Sequence, residues 1–287
     1  SRSSKKITCP ITGYITLYEG MPRVDFRVEI DNLAKDHRLR VFFPTGIAAK
    51  NVHAEGQFDV LCRSVNLPAG ENWEEKPSST FPHLSFVDVS DGNRGLAVFN
   101  RGLPEYEAVQ DNGTISIALT LLRCVGWLSR KEVKSRFGKH AGPVVETPKA
   151  QCLGKHIFEY APFPHSGTWQ SAKVYHQAHY YNEPMKVILT SIHSAKLPRK
   201  LSFISVEPTT LVLSAVKKAE NDEALVVRVY NLANSSVKGK ISLYKPIKKA
   251  WLSKLNEKLV GELKIDNQNR VIFPIKGRGI VVVLLEI

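Results

Sequence analysis

The chain has 287 residues, 43% hydrophobic and 23% charged, a balance that fits a folded globular protein and excludes wholesale disorder. Its longest apolar stretch, Gly279 to Ile287, is less than half of the roughly twenty residues a membrane-spanning helix needs, so it reads as a buried closing strand and no membrane partner is expected. The formal net charge of +13 would suit a polyanion, but the Lys and Arg residues are spread along the chain, so nucleic acid is not an expected partner.

The first residues, Ser1 to Lys6, are polar and basic and lead into no apolar region, so they do not read as a secretion signal. The bare first residue suggests a fragment or a processed chain. From there the dominant pattern is period-two alternation. Val24, Phe26, Val28 and Ile30 alternate with Arg23, Asp25, Arg27 and Glu29, which predicts a strand buried on one face. The same spacing recurs at Leu39, Val41 and Phe43, at Ile115, Ile117, Leu119 and Leu121, at Leu225, Val227 and Val229, and at Val237, Ile241 and Leu243. Asp91-Gly92-Asn93, Asp111-Asn112-Gly113, Glu220-Asn221-Asp222 and Asp266-Asn267 punctuate these runs with residues that tolerate positive φ or bond their own backbone. Many short strands with no helical segments of ten to fifteen residues between them predict an all-β, antiparallel fold.

Two departures are expected. Ser129 and Glu132 form a Ser-x-x-Glu capping box ahead of Val133 and Phe137, with Gly138 to end it, which predicts one short helix. The proline-rich stretch from Pro143 to Pro164 predicts a long ordered connection. A boundary near Pro208 divides a large, supersandwich-like β-sandwich domain, residues 1–208, from a smaller β-sandwich, residues 209–287. No repeat of fixed period stands out.

Cys9, Cys62, Cys124 and Cys152 contain no Cys-x-x-Cys pair, which argues against a zinc ribbon or redox motif. They read as buried thiols in a reducing, cytoplasmic setting, although their spacing does not rule out a disulfide. Glu105 and Glu107 share a face if extended, yet catalytic carboxylates normally come from separate elements, so a solvent-facing pair is favoured. His176 and His179, flanked by Tyr175, Tyr180 and Tyr181, read as part of a strand that points them to opposite faces, and so as poor metal ligands; His193 has no better claim. The basic run Lys245 to Lys258, with Trp251 inside it, reads as a solvated face. No Gly-x-Ser-x-Gly elbow, phosphate-binding Gly-Lys-Ser/Thr loop or His-Glu-x-x-His helix occurs, so no catalytic or metal-binding residue is assigned. Arg123, Trp127 and Arg130 crowd into one segment leaving an apolar strand. Arginine forks and an indole suit either a hydroxyl-rich sugar or a contact between domains.

Long strings in this chain resemble bacterial class II α-mannosidases, glycoside hydrolase family 38. They are Lys35-Asp36-His37-Arg38-Leu39-Arg40, Asn100-Arg101-Gly102-Leu103-Pro104-Glu105-Tyr106-Glu107, Leu121-Leu122-Arg123 through Val125-Gly126-Trp127-Leu128-Ser129-Arg130, and Ala141-Gly142-Pro143. Thr147-Pro148 with Ala150-Gln151-Cys152-Leu153-Gly154, and Leu201-Ser202-Phe203 to Lys217-Lys218, complete the set. The resemblance implies the carboxy-terminal β region of a retaining mannosidase whose zinc, aspartate nucleophile, catalytic barrel and helical domain all lie outside this chain. No cofactor is then expected in the chain itself, and the isolated chain should be inactive. Its expected partners are that barrel, the helical domain and a mannose-containing glycan or mannoside; a homo-oligomer is possible. Arg123, Trp127 and Arg130, with Glu105 and Tyr106 as a second choice, are the residues expected to reach the sugar cleft. The alternative is an independent carbohydrate- or polyanion-binding module that uses its basic surface.

Overall fold

A computed structural model describes residues 4–130, 132–192, 194 and 196–287. Backbone proximity groups the chain into two units, 1–56 with 61–186, and 57–60 with 187–287. The strand pairings described are antiparallel, and one α-helix occurs among the described residues, as the all-β reading requires.

In the first unit the strands are β1 (Ile11–Leu17), β2 (Val24–Asn32), β3 (Arg38–Ile47), β4 (Asn51–Gly56), β5 (Asp59–Ser64), β6 (Thr80–Pro82), β7 (Phe86–Ser90), β8 (Arg94–Asn100), β9 (Glu105–Asp111), β10 (Thr114–Arg123) and β11 (Gly154–Ser166). They form a seven-stranded sheet in the order β1-β2-β11-β8-β7-β4-β5 and a four-stranded sheet in the order β3-β10-β9-β6. Inward residues of both sheets make one core. Val28, Ile30, Val89, Val98 and Tyr160 come from the larger sheet, and Tyr106, Ile115, Ile117 and Leu119 from the smaller. The predicted alternation is visible in β2, where Val28 and Ile30 are buried while Arg27 and Glu29 pair with each other on the opposite face. In β10 the alternation breaks. Its register against β3 shifts between Thr120 and Leu122, so Leu122 rather than Leu121 is buried, and the strand is turned as it leaves the sheet.

The connection expected over Pro143 to Pro164 is shorter than its prolines suggested. From Gly154 onward it is β11, a central strand of thirteen residues. Pairing with β2 ends at Tyr160, whereas Pro162 and Pro164 pair with β8 alone. Beyond Tyr160 one side of the strand is free, and a missing N–H there breaks no ladder bond.

A second correction concerns the Tyr- and His-rich segment, which is the helix α1 (Val174–Asn182) and not a strand. Val174, Ala178 and Tyr181 are buried at i, i+4 and i+7, a helical face. They cover the outer face of the larger sheet, where Phe99 lies 5.3 Å from Phe163 and 6.1 Å from Tyr181. Arg101 and Arg23 lie over the Tyr181 ring at 4.4 and 5.1 Å, so the aromatic residues that suggested a strand instead anchor a helix. On the same sheet the His165 ring lies across Gly95, where an added Cβ would fall 2.2 Å from the imidazole Cε1. His165 Nε2 meets Asp88 Oδ2 at 2.7 Å, and Ser90 Oγ donates to Asp88 Oδ1 at 3.0 Å.

The second unit contains β12 (Ile204–Glu207), β13 (Leu211–Lys218), β14 (Leu225–Asn231), β15 (Val237–Leu243), β16 (Lys249–Ser253), β17 (Leu259–Glu262), β18 (Lys264–Ile265), β19 (Arg270–Ile275) and β20 (Ile280–Glu286). A four-stranded sheet, β12-β15-β19-β18, faces a five-stranded one, β13-β14-β20-β16-β17, across a core that includes Val227, Val229, Ile241, Phe273 and Val283. The closing apolar stretch is β20, with Val282 to Leu285 buried and strands on both sides. Lys245, Lys248, Lys249, Lys254 and Lys258 are exposed, as a solvated face requires, while Trp251 packs against Val282 and Leu284. Gly239 on β15 leaves room for Phe273, since an added Cβ would lie 2.4 Å from Phe273 Cε2. Gly239→Val should therefore destabilise the protein by about 1–3 kcal/mol, read as a lower urea midpoint, and an unchanged midpoint would refute this packing.

Among the described residues no helix is long and apolar enough to cross a membrane. All four cysteines are free, but only Cys124 is buried; Cys62 is exposed and Cys9 and Cys152 are half-buried, so the expectation of four buried thiols holds for one.

Candidate functional site

The register shift at the end of β10 delivers Arg123 to the surface and starts a loop held mainly by backbone bonds. Cys124 N donates to His37 O at 2.8 Å, Val125 N to Ala150 O at 3.1 Å, and Leu128 N to Val145 O at 2.9 Å. Thr147 N donates back to Gly126 O at 2.8 Å, and Trp127 bridges to Glu146, so the segments 124–128 and 145–150 run side by side. Gln151, buried beneath them, accepts from Asp36 N at 2.8 Å and donates Nε2 to Asp36 Oδ1 at 2.9 Å. This holds Asp36 in its left-handed turn, at φ 54°, and orders the chain before β3.

These ties leave three surface hollows that share Arg123. One, of 370 Å³, is lined by Asp36, His37, Arg38, Arg123, Trp127 and Arg130 among others. A second, of 480 Å³, lies against Arg123, Trp127 and Arg130 with Leu128, Val133 and Thr147. The third, of 550 Å³, is bounded by Arg101, Pro104, Glu105, Thr120, Arg123 and Phe158. Arg123 and Arg130 form no ion pair among the described residues, and with Arg38 they set three guanidinium groups against the single carboxylate of Asp36 in the lining of the first hollow, which is therefore net positive. An exposed indole beside unpaired guanidinium groups offers a flat apolar face and directional donors, which is how proteins hold sugar rings and their hydroxyls.

Four of the five sequence candidates, Arg123, Trp127, Arg130 and Glu105, thus border hollows that share Arg123. Tyr106 does not. It faces the core, fully buried, and Arg63 Nη1 donates to its hydroxyl at 3.4 Å; burial raises its phenol above the ordinary value. Glu105 accepts from Arg38 Nη2 at 2.7 Å and from Thr120 Oγ1 at 2.8 Å, and Glu107 pairs with Arg40. The two carboxylates therefore belong to a ladder across β3, β10 and β9, in which each glutamate is neutralised by an arginine. That is the solvent-face arrangement and not an acid and nucleophile facing a common bond.

Among the described residues the helix expected after Ser129 does not form; Lys134–Arg136 make a single 3₁₀ turn, with Val133 extended before it and Phe137 left-handed after it. Ser129 Oγ accepts from Ala141 N at 3.1 Å instead of capping, while Arg136 and Lys139 pair with Glu75 and Glu74 at 3.1 and 3.4 Å. Tertiary bonds have replaced the local cap. His179 Nε2 meets Glu55 Oε1 at 3.0 Å, joining α1 to β4, and His176 contacts Tyr175. Among the described residues no three His, Cys, Asp or Glu side chains gather to hold a metal ion. His193 lies outside the described residues.

Asp36, His37 and Gln151 had no role in the motif reading, although their strings, Lys35 to Arg40 and Ala150 to Gly154, stood out by resemblance. Comparison with known proteins accounts for this. Residues 2–127 match the model described as "Glycosyl hydrolases family 38 C-terminal domain", and residues 210–281 match "Glycosyl hydrolases family 38 C-terminal beta sandwich domain". The chain belongs to glycoside hydrolase family 38.

Within this family it is 33% identical to a putative mannosylglycerate hydrolase of Halalkalibacterium halodurans, over 80% of this chain and 24% of that protein. It is 27% identical to alpha-mannosidase 2C1 of Mus musculus, over 94% of this chain and 24% of that one. The crystal structure of an alpha-mannosidase from Enterococcus faecalis superposes with a TM-score of 0.81 at 29% identity, covering 99% of this chain and 30% of that chain. The chain therefore corresponds to the carboxy-terminal part of family 38 α-mannosidases and spans about a quarter of the curated relatives it matches.

Proposed function

We propose that this chain is the carboxy-terminal wall of a retaining α-mannosidase: it packs on a zinc-dependent catalytic barrel and lends the loop around Arg123 to the mannoside cleft. The observation that carries this reading is the convergence of three hollows on Arg123, with the Trp127 indole and Arg130 beside it on a backbone-locked loop. In this division of labour zinc and the aspartate nucleophile belong to residues of the barrel. The chain holds the sugar in place, and positioning of that kind can carry a large share of a rate enhancement. Free thiols suit a cytoplasmic setting for the enzyme.

Two measurements test the proposal. The isolated chain supplied with zinc should show no turnover of an aryl α-mannoside. In the assembled enzyme, Trp127→Ala and Arg123→Ala should each lower kcat/KM by about tenfold or more, with zinc content unchanged, because a misplaced substrate loses transition-state contacts. Zinc-dependent turnover by the isolated chain, or full activity of both variants, would sink it.

A further inference from the structure

The larger sheet of the first unit ends in a strand that is exposed along its whole length. β1 lies outermost in the order β1-β2-β11-β8-β7-β4-β5 and pairs with β2 alone, in unbroken register from Ile11 opposite Ile30 to Leu17 opposite Val24. Asp31 N donates to Pro10 O at 3.0 Å, and bonded pairs alternate from there along an antiparallel ladder. The N–H and C=O groups of Ile11, Gly13, Ile15 and Leu17 therefore point away from β2, where no further strand pairs among the described residues.

These same positions face the core side of the sheet. Ile11 sits beside Ile30, Gly13 beside Val28 and Ile15 beside Phe26; Ile30 and Val28 belong to the core and Phe26 packs against it. Yet Ile11, Ile15 and Leu17 are 56%, 66% and 73% exposed. The smaller sheet stops short of them. Its outer strand β3 lies over β11, with the Phe43 ring 5.6 Å from that of Tyr160, while towards its other edge Tyr106 of β9 accepts from Arg63 of β5. β1 is two strands beyond β11, so no strand of the smaller sheet faces it.

A bare strand edge pairs readily with any extended chain, and folded proteins blunt such edges with charges, prolines or bulges. The other three edges of this unit follow that rule. β3 carries Arg38, Arg40 and Pro44, β5 carries Asp59 and Arg63, and β6 carries Pro82. β1 reads Ile-Thr-Gly-Tyr-Ile-Thr-Leu, with no charge, no proline and no bulge, a composition suited to the interior of a sheet.

We propose that β1 is an interior strand of the assembled enzyme: polypeptide that precedes this region in family 38 proteins adds a strand to its free edge and covers Ile11, Ile15 and Leu17 with apolar side chains. The chain matches its relatives through carboxy-terminal domains and spans about a quarter of their length, so they hold ample polypeptide ahead of β1 to do so. A second copy of this chain fits the surface less well. Antiparallel pairing of two β1 strands would satisfy the backbone groups, but it would set both Ile and Leu rows side by side on one face, doubling the bare apolar surface, and bring together two chains of net charge +13. The proposal rests on the packing half of the function proposed above and not on the cleft around Arg123.

Amide hydrogen exchange, resolved to single residues by mass spectrometry with electron-transfer fragmentation, tests it on the isolated chain and on the assembled enzyme. The amides of Ile11, Gly13, Ile15 and Leu17 should exchange freely in the isolated chain and about a hundredfold or more slowly in the assembled enzyme, whereas those of Val227 and Val229, in the core of the second unit, should be protected in both. Gly13→Pro removes an N–H that only the added strand would use. It should leave the urea midpoint of the isolated chain unchanged and lower the melting temperature of the assembled enzyme. Free exchange of the four amides in the assembled enzyme would overturn the proposal, as would protection in the isolated chain that rises with its concentration, the mark of self-pairing. A protected β1 in an enzyme whose Arg123→Ala variant keeps full activity would refute the cleft reading and leave this inference standing.

Discussion

Asp88→Ala will lower the unfolding free energy by about 1–3 kcal/mol at about pH 6, because it removes the buried ion pair and leaves the His165 imidazole, which burial then drives to its neutral form, without its partner. The His165 and Asp88 side chains are 3% and 0% exposed and meet at 2.7 Å. Burial alone would lower the His165 imidazole, but the hydrogen bond and the charge of Asp88 outweigh it and hold the group above the ordinary histidine value. A base raised in this way contributes stability that is complete below its unfolded value, about 6.5, and is lost as the pH rises through its folded value. The difference between wild type and Asp88→Ala, measured by urea unfolding, should therefore shrink at about pH 9. Equal costs at both pH values would mean that packing, not the ion pair, accounts for the loss. Replacing both partners by apolar residues, Asp88→Val with His165→Phe, should recover much of the stability.

Acidification acts through His83 with the opposite sign and costs the fold about 3 kcal/mol between about pH 6.5 and about pH 4. Burial, the largest influence, brings the His83 imidazole down to about 4 against the upward pull of backbone groups at Phe86 and Leu103 and of Glu55. The ring lies in the core 5.1 Å from the Tyr106 ring. Throughout that window the unfolded chain binds a proton that the folded one does not, so stability falls as the pH falls. In His83→Leu the acid limb of the stability profile should flatten by about that amount, followed by urea unfolding at several pH values. An unchanged acid limb would assign the loss to another group.

The effects of His83 and His165 could not have been read from their neighbours in sequence. His83 follows a proline in the short strand β6, and His165 follows one in β11; their burial and partners come from other strands. The same holds for Glu105 and Glu107. Their spacing placed both on one face, but whether that face held a reacting pair or an ion-pair ladder depended on Arg38 and Arg40, two strands away across β10. At the hollow around Arg123 the sequence marked the arginines and the indole as unusual. It did not mark Gln151, whose role exists only because Asp36 arrives beside it from 115 positions earlier.

What the sequence determined by itself was the class of fold and the family. Period-two alternation in β2, β3, β10, β14 and β15 and turn residues such as Asn112-Gly113 are local signals, set by the geometry of one strand or one turn. Where an element depended on distant partners, local pattern misled. Tyr175 and Tyr181 favour strands by propensity, yet they form a helix because a sheet face lined by Phe99 and Phe163 is there to bury it. Ser129 and Glu132 spell a helix cap, yet Ser129 bonds Ala141 and only a single turn forms downstream. Only the tertiary structure decided these, along with the grouping of Arg123, Trp127 and Arg130 into shared hollows, because contacts between residues far apart in sequence exist only after the strands have paired and packed.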